Sequence, residues 1–188
     1  MTLQLFGSLT SPFVRHCRIA LLQLGHPWEF RETDYGTSAK LSPAQRVPFF
    51  QDGELTLTDS SVILQAIREK GGGRFLPGLA EAQRYHLANC VLDSAVNLFL
   101  LAKNGRTPDN TPYLARQQAR VDTGLEALDT ADLSFDSTPD DSLLRIGCLV
   151  AWAVYRKRFT VEHHGGLTAL MQHLENVDRF RETAPPLA

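Results

Sequence analysis

The sequence predicts a small α/β domain followed by an all-helical domain. Short strands alternate with helices up to about residue 70, whereas every apolar pattern beyond that point has helical spacing. The glycine run 71–73, followed by Pro77 and Gly78, reads as a helix stop and linker between the two parts. We therefore expect one domain at residues 1–76 and a second at residues 77–188.

The elements of the first domain follow from local signals. Pro12 suits the first position of a helix, where a backbone N–H would have no partner, and Gly25 suits its end. Asp52-Gly53 is a hairpin turn between two apolar runs. The predicted order is a strand at 3–6, a helix at 12–24, a strand at 28–31, a loose segment, a hairpin at 49–57, and a helix from Thr58 or Asp59 to about Lys70.

The second domain reads as four helices. Apolar residues recur at helical spacing in four stretches, 88–102, 114–128, 146–154 and 167–177. The third helix begins at Asp140 or Asp141 and is apolar on nearly all sides, which predicts a central buried helix.

Composition excludes several classes of protein. The chain has 188 residues, a formal charge of −2 and no long basic run, so nucleic acid is not expected as a partner. The stretch 146–155 is far shorter than the roughly 20 apolar residues of a membrane span, and the N-terminus lacks a secretory signal. Three cysteines, Cys17, Cys90 and Cys148, without paired spacing predict reduced, buried thiols in a cytoplasmic protein. His163-His164 has no further ligands at metal spacing, so no metal is expected.

Ser11 is the candidate catalytic residue. It directly precedes Pro12, so its hydroxyl and the positive end of the helix could both stabilise a thiolate. The alternative is that Ser11 only caps the helix, the commonest role for Ser at this place. Thr10 and Ser8 are also within reach, so the hydroxyl that faces the sulfur could be a neighbour.

Two further segments could hold a small thiol peptide. A cis bond at Val47-Pro48 would open a backbone edge to which a peptide could add as a strand, although the pattern alone favours a trans proline opening a strand. Ser60 could bind a carboxylate at a helix start while Asp59 takes an ammonium group, or the two could merely cap the helix. Arg46 could meet the other carboxylate of the ligand. Lys40 and Gln45 are weaker candidates for that end.

With these motifs the chain resembles the glutathione S-transferase family, in particular bacterial members with a Ser-Pro-Phe start. The resemblance covers nearly the whole length, and its motifs lie at 11–15, 46–48, 59–63, 75–77, the helix through Asp93, Gly147-Cys148 and 180–186. It implies a thioredoxin-like first domain that binds glutathione, a cis Pro48 and a homodimer. It also implies an acceptor pocket between the first helix and the helical domain. Phe13, a glutathione-binding candidate, would line this pocket together with the helix around Asn97 and Leu101.

The chain departs from the family in several places. Asp59 stands where many members have Glu or Gln, and position 11 is neither Tyr nor Cys, which favours serine-type stabilisation of the thiolate. Leu143 takes the place of the acid in the capping box of the central helix, so Asp140 or Asp141 is expected to cap alone at some cost in stability.

The resulting hypothesis is a glutathione transferase that conjugates glutathione, as co-substrate, to a small electrophile. A second hypothesis is a non-catalytic member that binds glutathione or a protein partner on the same fold. A third, thiol–disulfide reduction, would need an exposed Cys17 of low pKa, whereas its helical position indicates a structural thiol.

Overall fold

The computed structural model describes residues 2–135 and 138–186, and within them the chain forms four β-strands and eight α-helices. The strands are β1 (Leu3–Gly7), β2 (Trp28–Glu32), β3 (Phe49–Asp52) and β4 (Leu55–Leu57). The helices are α1 (Pro12–Leu24), α2 (Tyr35–Leu41), α3 (Ser60–Lys70), α4 (Leu79–Ala102), α5 (Pro112–Asp129), α6 (Asp141–Tyr155), α7 (Gly165–Leu174) and α8 (Asp178–Glu182). The described residues fall into two compact units, residues 2–75 with 177–186, and residues 76–176 without the two undescribed positions.

The sheet of the first unit has the order β2-β1-β3-β4. β1 is parallel to β2, while β3 is antiparallel to both β1 and β4, with Phe6 opposite Phe49 and Phe50 opposite Leu57. Consequently the last residues of β1, β2 and β4 and the first residue of β3 lie at one end of the sheet. We call this the loop end, because the connections to α1, α2 and α3 all leave from it.

The core of the first unit lies between the sheet and two helices. α1 and α3 pack against each other, and their apolar faces are fully buried with β1 and β3. Gly7 permits the chain to turn closely from β1 into α1, because a Cβ there would lie 2.4 Å from Cγ2 of Val14. The buried apolar residues of the two helices are Val14, Cys17, Ile19, Ala20, Leu21, Ile63, Leu64 and Ile67.

α2 is a helix within the segment predicted to be loose. It carries no apolar stripe, and Ser38 is its one buried residue. Its start is fixed instead by Asp34, whose Oδ1 accepts the N–H of Thr37 at 2.7 Å, and this capping bond holds the pKa of the Asp34 carboxyl below its usual value. A short polar helix held by its cap leaves little trace in hydrophobic periodicity.

The second unit is a helical bundle in which α4 packs against both α5 and α6. The predicted burial of the central helix is confirmed: α6 is buried along most of its length. Among the residues that the structure describes, α4 is the one helix long and apolar enough to span a membrane by composition, with a mean hydropathy of 1.2. Tyr85, Val91 and Leu92 of α4 are fully buried, as in the core helix of a globular unit.

The C-terminal segment differs from its prediction. The predicted fourth helix is divided, since α7 ends at Leu174 and the short α8 follows after Val177. Residues 177–186 belong to the first compact unit, whereas the sequence placed them with the helical domain at 77–188. The physical reason is that Phe180 and Thr183 are buried against α1, a long-range contact that local patterns do not record.

Candidate functional site

Ser11 caps α1 at the loop end of the sheet. Its backbone is extended, its Oγ accepts the N–H of Val14 at 3.4 Å, and its own N–H donates to the carbonyl of Ser8 at 3.0 Å. Because the cap uses the hydroxyl oxygen as an acceptor, the hydroxyl proton is not needed for it and can donate to an anion. Capping and anion binding are therefore compatible at Ser11.

The neighbouring hydroxyls of Ser8 and Thr10 contact each other. Their oxygens lie 3.1 Å apart, and the N–H of Thr10 donates to Oγ of Ser8 at 3.3 Å. Ser11 is the member of this group that stands at the helix start, where the partial positive charge of the helix is concentrated.

The Val47–Pro48 bond is cis, as the family resemblance implied and against the trans bond that the pattern alone favoured. Pro48 is buried and directly precedes β3, whose first residue, Phe49, pairs with Phe6 of β1. The half-buried Val47 is thereby placed beside the end of β1, on the side where the chain turns toward Ser11.

Asp59 and Ser60 begin α3 at the same end of the sheet. Oδ1 of Asp59 accepts the N–H of Ser61 at 2.8 Å, and Ser60 is buried. The second carboxylate oxygen, Oδ2, lies 3.3 Å from Nη2 of Arg46. The sequence assigned these two charges to different groups of a ligand, but in the structure they contact each other.

The Arg46–Asp59 ion pair is weak by position. Both side chains are about half exposed, and an exposed pair of this kind contributes roughly 0.2–1 kcal/mol. A ligand with its own ammonium and carboxylate can therefore replace it at little cost.

The two remaining candidates of the first domain lie on α1 and α2. Phe13, in the first turn of α1, is half-buried, and Lys40, in the last turn of α2, is exposed. Because the N–H of Thr33 donates to the carbonyl of Gly7 at 3.0 Å, the connection to α2 leaves from the loop end as well.

Asn97 and Leu101 lie one turn apart on an exposed face of α4 in the second unit, and their part in an acceptor pocket stays a prediction.

Two of the three cysteines are buried. Cys17 is fully buried, with its Sγ 3.9 Å from the carbonyl oxygen of Ser60, which confirms the structural thiol and argues against thiol exchange there. Cys148 is buried as expected, but the prediction for Cys90 is wrong, since it lies on the exposed face of α4. Within residues 2–135 and 138–186 no group of three or more His, Cys, Asp or Glu residues could hold a metal ion.

Sequence reasoning missed the role of Arg15. This residue is buried on α1 and contacts the C-terminal tail. A signal was available, because Arg15 follows Pro12 and precedes Ile19 at helical spacing, and all three are buried. A charge on an apolar stripe indicates a specific partner.

Comparison with known proteins agrees with this architecture. The family model described as glutathione S-transferase, N-terminal domain, matches residues 5–75. No curated protein matches the chain.

Several solved structures share the fold across almost the whole chain. A glutathione S-transferase from Methylobacterium radiotolerans, in complex with glutathione sulfonate, is 22% identical to this chain, with a TM-score of 0.84. The match covers 98% of this chain and 95% of the other. One from Methylobacillus flagellatus with glutathione bound is 18% identical, with a TM-score of 0.86 and coverage of 98% and 100%. A glutathione transferase family member from Pseudomonas fluorescens, also with bound glutathione, is 21% identical, with a TM-score of 0.84 and the same coverage. The predicted fold class is thus confirmed.

Proposed function

We propose that the protein belongs to the glutathione S-transferase family and is a glutathione transferase, because the model of that family's N-terminal domain matches residues 5–75 and solved glutathione transferases share the fold of almost the whole chain. It binds glutathione at the loop end of the sheet, and the thiolate attacks a small electrophile, forming a carbon–sulfur bond as the leaving group of the electrophile departs. The observation that carries the proposal is the convergence at this end of the Ser11 cap, the cis Val47–Pro48 bond and the Asp59–Ser60 helix start.

Ser11 stabilises the glutathione thiolate, which is the nucleophile of the chemical step. A free thiol has a pKa near 8.5 and is about a few per cent thiolate at neutral pH. The Ser11 hydroxyl donates a hydrogen bond to the thiolate, and the start of α1 adds a partial positive charge. Lowering the thiol pKa by two units requires about 2.7 kcal/mol, which one charge-assisted hydrogen bond and a helix end can provide.

The remaining candidates hold the peptide. The backbone of Val47 pairs with glutathione as an added strand. Ser60 binds the glutamyl carboxylate at the start of α3, and Asp59 takes its ammonium group. Arg46, released from Asp59, and Lys40 bind the other carboxylate.

The acceptor substrate is proposed to react by its proximity to the bound thiolate, without acid–base catalysis. We further propose a cytoplasmic homodimer. Support for the dimer comes from the family resemblance and from two apolar residues of the first unit, Leu55 of the edge strand β4 and Val62 of α3, which are 52% and 47% exposed.

The binding proposal is tested by calorimetric titration of glutathione into the wild type and Ser60→Ala. Micromolar to millimolar binding that the substitution weakens is the expected result, because Ser60 contacts the glutamyl carboxylate. Absence of binding to the wild type would overturn the proposal.

The catalytic role of Ser11 is tested by the pKa of the bound thiol, read from thiolate absorbance against pH. Ser11→Ala should raise that pKa by about one to two units and lower kcat/KM with an aryl halide roughly 10- to 100-fold, since a hydrogen bond to a charge is worth about 1.5–3 kcal/mol. Thr10→Val is the matched control and should leave both values near the wild type. Full conjugation by Ser11→Ala would refute the assignment, and binding without turnover of any electrophile would indicate the non-catalytic member.

A further inference from the structure

The C-terminal tail, residues 177–186, is held on α1 by a buried arginine. Arg15 is 5% exposed, and its Nη2 donates to the carbonyl of Phe180 at 2.8 Å while its Nε donates to Oγ1 of Thr183 at 3.4 Å. The guanidinium also lies 3.9 Å from the centre of the Phe180 ring. One side chain of α1 therefore contacts the tail through two hydrogen bonds and an aromatic face.

On the tail side of this contact, Thr183 is also held by the tail backbone. Thr183 is fully buried, and its hydroxyl lies within hydrogen-bond distance of the carbonyls of Arg179 and Phe180, at 2.9 and 3.1 Å. The hydroxyl can thus donate to the tail backbone while its oxygen accepts from Arg15. Removing the hydroxyl alters both bonds at once.

A second arginine of α1, Arg18, also contacts the tail. Arg18 donates from Nη1 to the carbonyl of Thr183 at 3.4 Å and lies 5.5 Å from the ring centre of Phe30. Burial, and then the like charge of Arg15, lower the pKa of Arg18, while Glu182 acts in the opposite direction. Two cations on one helix face repel each other, and the tail carbonyls offset that repulsion.

The contact reaches the candidate catalytic residue through the first turn of α1. The N–H of Arg15 donates to the carbonyl of Ser11 at 3.0 Å, and the N–H of Val14 donates to the Ser11 hydroxyl. The hydrogen bonds from Arg15 to the tail therefore restrain the helical turn that orients the Ser11 Oγ.

We propose that the tail is a latch that positions Ser11, with Arg15 and Thr183 as positioning residues for the thiolate. The inference rests on the proposed transferase function for its chemical consequence, but the mechanical link between tail and helix does not. The Val14 amide reports on the link directly, because its proton is bonded to the Ser11 hydroxyl.

The experiment compares Thr183→Val and Thr183→Ser with the wild type by hydrogen exchange and by the pKa of bound glutathione. Thr183→Val should speed exchange of the Val14 and Arg15 amides by about tenfold, the equivalent of one lost hydrogen bond, and raise the thiol pKa and lower kcat with little change in the glutathione KM. Thr183→Ser retains the hydroxyl and should restore all four values. Arg179→Gln is the control in the same tail, because it removes only an exposed ion pair with Glu182.

Two outcomes would overturn the latch. In the first, Thr183→Val leaves α1 exchange and the thiol pKa unchanged. In the second, Thr183→Ser fails to rescue, which indicates a packing effect of the substitution. If the wild type does not bind glutathione, the proposed function fails, and amide exchange at Val14 alone decides whether the tail holds the turn.

Discussion

Two adjacent glycines at the start of α7 show how closely one residue can be constrained. A Cβ on Gly166 would lie 2.3 Å from the carbonyl oxygen of Asp129, whereas a Cβ on Gly165 would meet nothing within 4 Å. The Asp129 carboxylate also accepts the N–H of Leu167 at 3.0 Å. The end of α5 and the start of α7 thus meet through backbone atoms that cannot yield as a flexible side chain would.

We predict that Gly166→Ala destabilises the protein by about 1–3 kcal/mol, because the backbone must shift to admit the methyl group. Gly165→Ala, the same change one residue earlier, should be neutral or stabilise by up to about 1 kcal/mol, since it restricts the unfolded chain. Urea unfolding of both variants measures the difference. Equal stabilities would show that the close contact at Gly166 is not maintained in solution.

Single residues were predictable where their role is local. Ser11 and Asp59 were identified at helix starts and Gly25 at a helix end, because a cap depends on a few neighbouring residues. The contact between Arg46 and Asp59 was not predictable. The two residues are 13 apart in the chain and meet only after β3 and β4 have paired.

At the scale of elements, the start of α6 is capped by more than its own residues. Oδ1 of Asp140 accepts the N–H of Leu143 at 2.9 Å, and its other oxygen lies 3.1 Å from Nη2 of Arg84 on α4. The N–H of Asp141 in turn bonds to Glu81, also on α4. The predicted aspartate cap is confirmed at Asp140, and two residues of α4, Arg84 and Glu81, contact the aspartates at this helix start.

Glu81 makes this junction sensitive to pH. Burial first, and then the charges of Asp140 and Asp141, raise the pKa of Glu81 against the opposing effect of Arg84. The folded protein therefore keeps the proton to a higher pH than the unfolded chain does. The protonated Glu81 carboxyl contributes fully to stability below the pKa that Glu81 has in the unfolded chain. This contribution is lost as the pH rises through the pKa of Glu81 in the folded protein.

Glu81→Gln should therefore increase the free energy of unfolding at pH 7, because a neutral amide still accepts the Asp141 N–H and carries no charge beside two aspartates. At pH 4 the variant and the wild type should agree closely, which is the internal control. Thermal unfolding at the two pH values gives the measurement. A variant less stable than the wild type at pH 7 would mean that the carboxylate is favoured at this helix start.

A helix was predictable where its sequence carries a clear apolar pattern. The central helix was predicted to start at Asp140 or Asp141 and is observed from Asp141, because burial on all sides leaves a continuous apolar run. α2 was missed because it depends on the Asp34 cap and buries only Ser38. The tail was assigned to the wrong unit for a related reason, since α8 has five residues and its stability comes from Arg15, more than 160 residues earlier.

At the scale of the whole molecule, the proposed dimer depends on surfaces that one chain leaves uncovered. Leu55 lies on β4, an edge strand, and Val62 lies in the first turns of α3, which follows β4 directly. A twofold dimer needs one self-complementary patch, so a charge introduced there is repeated on both copies and repels itself. These two residues are accordingly the place to test assembly.

We predict that the wild type sediments as a dimer and that Val62→Lys combined with Leu55→Lys shifts it toward monomer. The physical reason is that apolar burial is lost on both copies while like charges face each other across the interface. Val154→Lys is the control, because Val154 is a similarly exposed apolar residue on α6 of the second unit. A wild type that sediments as a monomer at all concentrations would contradict the dimer. A double variant that stays dimeric would place the interface elsewhere on the chain.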